Sequence, residues 1–233
     1  MLKRILTLIC LLTLFFSLSF IPTTAEYIHP AEKVDVTISG TGYSSFVFLK
    51  DCNVKTYKTS NGSCSITLES ETEICSLYLM FDLEYGEYTI TDNTNNITLN
   101  AGEHSFLHEY VKLSKPTESL TLNFTNGAVR LSEITAYSYG STPADVQDWD
   151  APLDNKTDIL LLATHGDDDQ LFFAGLFPLY AAERQCALQV AYLTDPRNLT
   201  KARTHEMLNG LWETGVTAYP VFGKFADFRI DDL

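Results

Sequence analysis

Asp158-Ile-Leu-Leu-Leu-Ala-Thr-His-Gly-Asp-Asp-Asp169 is the stretch on which the reading of this chain turns. Ile159 to Ala163 run apolar without alternation, the pattern of a short strand buried on both faces of a parallel sheet flanked by helices. The run stops at His165 and three carboxylates, Asp167, Asp168 and Asp169. In open α/β sheets ligands collect beyond the carboxyl ends of strands, so these polar groups fall where such a sheet places its chemistry. Imidazole and carboxylate at this spacing can hold zinc, with His165 and Asp168 turned toward one metal and Asp167 left between them for proton transfer. The plainer reading is that an acidic run after a strand only caps the next helix.

Downstream the pattern stays that of an α/β unit. A helix is expected from Leu176 to about Arg184, with Pro178 tolerated in its first turn. Ala187 to Thr194 reads as a second strand. The 3.6-residue period predicts a helix from about Thr200 to Thr214 whose core face is Met207, Leu208, Leu211 and Trp212, leaving Arg203, Glu206 and Glu213 on other faces. Val216 to Phe222 reads as a third strand. Strand and helix in alternation predict a parallel, doubly wound sheet.

Upstream the texture differs. Between Lys33 and about Tyr137 the apolar residues alternate, as in Val34-Asp-Val-Thr-Ile38 and Leu120-Thr-Leu-Asn-Phe124, and turn pairs such as Asn61-Gly62, Tyr85-Gly86 and Asn126-Gly127 separate the runs. Many short strands with one buried face predict an antiparallel β-sandwich over residues 27–140. Its tyrosines, Tyr57, Tyr78 and Tyr88 among them, could stack on sugar rings, although tyrosine is also simply a good strand former. His104 and His108 read as surface or half-buried residues. Residues 141–155, polar and with two prolines, read as a linker, and 156–233 as the second domain.

The N-terminus carries Lys3 and Arg4 ahead of an apolar run to about Ile21 and the small-residue stretch Pro22-Thr-Thr-Ala25. This is the form of a secretory signal over residues 1–25, with an uncleaved membrane anchor as the alternative, and it implies a secreted or cell-surface protein. Loss of those two positive charges moves the formal net charge from -14 to -16. Such a charge repels phosphate backbones and argues against nucleic acid as a partner. Cys52, Cys64 and Cys75 cluster in the first half, and two of them could pair in an oxidising compartment.

His165-Gly-Asp-Asp-Asp169 after a strand, then Gly175, a strand ending at Thr194, and Arg203-Thr-His-Glu206 followed by Leu211 and Gly215-Val216, resembles the start of the PIG-L/LmbE zinc deacetylase family. The resemblance implies a Rossmann-like fold, Zn2+ as cofactor, and removal of acetyl groups from an N-acetylglucosamine-type amino-sugar or glycan. Carried over by position, His165 and Asp168 would ligate the zinc, Asp167 would be the general base, and Arg203 would contact substrate hydroxyls. Gly166 stands where the family usually has proline, which would loosen the loop, and Asp169 where it has glutamate. The family's third ligand is a histidine further downstream than Leu233, so the chain is expected to hold only the N-terminal part of the catalytic domain. The expected architecture is therefore multidomain, a β-sandwich followed by a truncated α/β Rossmann-like domain. The competing reading is a surface carbohydrate-binding protein whose sandwich does the work and whose α/β half is degenerate.

Overall fold

The computed structural model describes residues 28–153, 156–195 and 201–226. Residues 1–25, expected to be a secretory signal, lie outside the described residues. The first half is built on two long strands, β4 (Cys64–Phe81) and β7 (His108–Phe124), which pair antiparallel from Cys64 opposite Phe124 to Met80 opposite His108. Their register breaks between Glu69 and Ser76, and the partners change there. The first half of β4 pairs with β2 (Thr37–Gly40) and the second with β8 (Arg130–Tyr137). The far half of β7 pairs with β5 (Tyr88–Asp92), which pairs in turn with β6 (Ile97–Ala101). Short strands β1 (Lys33–Val34) and β3 (Lys58–Thr59) lie on β8. The two long strands thus pass from one layer into the other. Ile66, Leu68, Leu120 and Leu122 before the break and Leu77, Leu79, Leu131 and Ile134 beyond it belong to one apolar cluster, which is the core of the expected antiparallel sandwich.

Within this half Asp82 and Arg130 form an ion pair that is almost wholly buried. Burial raises the Asp82 carboxyl, while Arg130 and then His205 pull it back. Breaking a buried pair from one side strands the other charge. Arg130→Met is therefore expected to destabilise the protein by about 3–5 kcal/mol in urea denaturation, and Arg130→Met with Asp82→Leu by much less.

In the second half three parallel strands, β9 (Ile159–Ala163), β10 (Leu188–Thr194) and β11 (Val221–Phe225), stand in the order β11-β10-β9. Helix α1 (Asp168–Phe173) and a π-helical turn from Pro178 to Glu183 follow β9, and α2 (Lys201–Glu213) precedes β11. The core face expected of α2 is in place: Met207, Leu208 and Leu211 are buried, and Trp212 packs edge-on to Trp149. Two expectations are corrected. The third strand begins at Val221, because Pro220 has no N–H to give a ladder. β9 is not buried on both faces: Leu161 and Ala163 are, but Leu160 and Leu162 are 60% and 58% exposed, as β9 is an edge strand and the described residues cover only one of its faces.

The polar stretch after the sandwich is no loose tether in its described part. Val146, Gln147 and Trp149 are buried, and Asp150 makes a parallel bridge to Ala218, giving its N–H to Thr217 and accepting that of Tyr219, each at 2.9 Å. Phe106 of the sandwich stacks on Tyr219 with ring centres 4.4 Å apart. Gln147 Nε2 donates to Asn209 Oδ1 of α2 at 2.6 Å. Buried residues of both halves form one continuous apolar cluster through these contacts. The thiols of Cys52, Cys64, Cys75 and Cys186 are all free.

Candidate active site

The four residues singled out from the sequence meet at the carboxyl end of β9. His165 and Gly166 form the turn beyond the strand, and Asp168 opens α1. Asp168 Oδ2 accepts the backbone N–H groups of Thr164 and His165, at 3.2 and 2.9 Å, and lies 3.4 Å from His165 Nδ1. Asp167 occupies the N-cap position yet makes no capping bond, and its Oδ2 instead lies 3.2 Å from Arg203 Nη2. Arg203 Nη1 also reaches Glu206 Oε2 at 3.3 Å, one turn along α2. The acidic run therefore does more than cap a helix. Asp168 folds the turn, Asp167 is held from across the site, and Asp169 points inward.

Asp169 is 1% exposed; its Oδ2 accepts from Gln170 Nε2 at 3.0 Å. The Tyr192 hydroxyl lies beside it, and burial followed by the Asp169 charge pushes that phenol far above its ordinary range. The glycine in the turn is corrected as well. A Cβ on Gly166 would sit 2.7 Å from Met207 Sδ, so this position is packed against α2 and does not merely loosen the loop.

The fit of zinc can be judged from this geometry. Two donors each about 2.1 Å from a tetrahedral zinc lie about 3.4 Å apart, and His165 Nδ1 and Asp168 Oδ2 have that separation. No group of three His, Cys, Asp or Glu side chains able to hold a metal occurs among the described residues. The turn brings together two side chains of the kinds that zinc takes, His165 and Asp168.

Sequence reasoning missed a buried chain of hydrogen bonds behind α2. Tyr78 Oη and His108 Nδ1 are 2.7 Å apart, as are His108 Nε2 and His205 Nδ1. His108 is 3% and His205 5% exposed, so His108 is neither a surface nor a half-buried residue. Burial, and then the neighbouring His205, holds His108 well below the usual histidine range. Burial also lowers His205, against an opposing pull from Asp82 and the Phe81 carbonyl. A depressed histidine contributes stability that is fully present above the ordinary value of 6.5 and lost as pH falls below it. Glu133 runs the other way: burial and then Asp51 raise it to about 7, so its contribution is lost as pH rises through 7. The melting temperature of Glu133→Gln is accordingly expected to fall steadily from pH 7 to pH 5. Adding His108→Gln and His205→Gln should flatten that fall.

No family model matches the chain, and no curated protein matches it. Solved structures superpose loosely. CpGH89CBM32-6 produced by Clostridium perfringens is 16% identical, covers 45% of this chain and 94% of its own, and has a TM-score of 0.37. A pectin binding carbohydrate binding module is 17% identical over 48% of this chain and 96% of its own, with a TM-score of 0.35. A family two carbohydrate esterase from Cellvibrio japonicus is 12% identical over 86% of this chain and 80% of its own, at 0.29. Superpositions this loose carry no argument about what the chain does.

Proposed function

We propose that this chain carries part of the active site of an exported, zinc-dependent N-deacetylase acting on an amino-sugar, as its resemblance to the PIG-L/LmbE family implies. The observation that supports the reading best is the convergence at the end of β9: His165 and Asp168 at the separation of two zinc ligands, with Asp167 beside them on Arg203. Zinc bound there would polarise the amide carbonyl and lower the pKa of a water.

The chain's own residues would do the rest. Asp167, exposed and carrying no hydrogen bond from its own helix, can take a proton from the attacking water and return it to the departing amine. Arg203 fixes the Asp167 carboxylate in position and, partly exposed itself, can turn a donor to a substrate hydroxyl. Asp168 holds the turn shut through two backbone N–H groups, so the His165 imidazole is presented in one place.

The test is metal content of the full-length protein measured together with acetate release from N-acetylglucosamine. Zinc bound in proportion to protein, with release abolished by a chelator and restored by zinc, is the expected result. Folded protein that binds no zinc would overturn the reading and put carbohydrate binding by the sandwich in its place.

A further inference from the structure

A groove of about 450 Å3 lies between the sandwich and α2, with Val54, Tyr57 and Asp82 on one wall and Ala202, His205 and Glu206 on the other. Both halves of the molecule are needed to form it. It adjoins the candidate active site through α2: Glu206 in its wall bonds Arg203 at 3.3 Å, and Arg203 reaches Asp167 at 3.2 Å. A ligand with one end at the His165 turn would therefore extend into it.

The groove's chemistry narrows the ligand. Val54 and Ala202 give it apolar surface, and the Tyr57 ring is 41% exposed, with the Arg130 guanidinium 4.4 Å from its centre. Glu206 and Asn209 give it polar edges, Lys55 adds one positive charge, and its two carboxylates are each matched by an arginine, Asp82 by Arg130 and Glu206 by Arg203. In its wall His205 is 5% exposed and is held with its Nδ1 2.7 Å from His108 Nε2. Aromatic and apolar walls with polar edges suit a pyranose ring, whose C–H face is apolar and whose rim is hydroxyl.

We propose that this groove is the subsite for a neighbouring sugar, so that the substrate is an N-acetylated oligosaccharide that spans sandwich and α/β half, not a free monosaccharide. The proposal rests on the deacetylase reading for the position of the reacting sugar, but the groove can be tested by binding alone.

Calorimetric titration of the intact chain with N-acetylglucosamine and with its β-1,4-linked trimer provides that test. The trimer is expected to bind on the order of tenfold more tightly. Tyr57→Ala, and separately Ala202→Trp, which fills the groove from α2, should each bring the trimer down to the affinity of the monosaccharide. Zinc content and monosaccharide affinity should not change. A trimer that binds no better than the monosaccharide overturns the proposal, as does an advantage that survives both substitutions. A trimer held through Tyr57 by a protein that binds no zinc and releases no acetate would sink the reaction and support the groove.

Discussion

Asp167→Asn should lower acetate release by about 10²–10⁴-fold, the range lost with a general base, while zinc content stays at the wild-type level. The substitution preserves size and leaves His165 and Asp168 in place, and the amide can still accept from Arg203 across the present 3.2 Å. His165→Ala and Asp168→Ala should lose metal instead. Asp168→Ala should also loosen the turn, because the Thr164 and His165 N–H groups lose their common acceptor. Arg203→Ala removes the group that holds Asp167 as well as a substrate contact, so kcat should fall and KM rise together. Metal analysis and steady-state kinetics on the four variants separate these roles. Full activity in Asp167→Asn would remove it from the chemistry.

The second large effect is on folding. Trp149→Ala is expected to destabilise the protein by about 3–5 kcal/mol, the cost of truncating a large buried aromatic, and to lower the midpoint of thermal unfolding. Trp149 is 7% exposed, lies 5.2 Å from Trp212 and 5.5 Å from Tyr219 between ring centres, and donates its Nε1–H to Gln147 at 3.1 Å. With the Phe106–Tyr219 stack and the His108–His205 bond it joins the two halves, so its loss weakens a joint those contacts also hold. Calorimetry is the measurement. An unchanged midpoint would show that Trp149 carries little of that joint.

Trp149 also shows where sequence reading runs out. A lone tryptophan amid Asp, Gln and Pro leaves no periodic trace, so the stretch has the composition of a tether even though one indole there buries a large apolar area. Periodicity did locate α2 and its buried face, because Met207, Leu208 and Leu211 recur at the spacing a helix imposes. The apolar run Ile159 to Ala163 located β9, but which of its faces is covered depends on elements remote in sequence, and Leu160 and Leu162 proved exposed. The residue types of the candidate site were legible from their order. That Asp167 would lie on Arg203 was not, because the contact joins two elements separated by a strand. The His108–His205 pair, 97 residues apart, has no local signature at all.

That imidazole pair has a mechanical consequence for the helix it grips. Each residue turns an α-helix by about 100°, so Arg203 and His205 project to nearly opposite sides of α2, one to the acidic turn and one into the sandwich. A roll of the helix by a single residue step would carry both side chains off their partners at once. The azimuth of the arginine is therefore set from behind, by the sandwich acting as a detent.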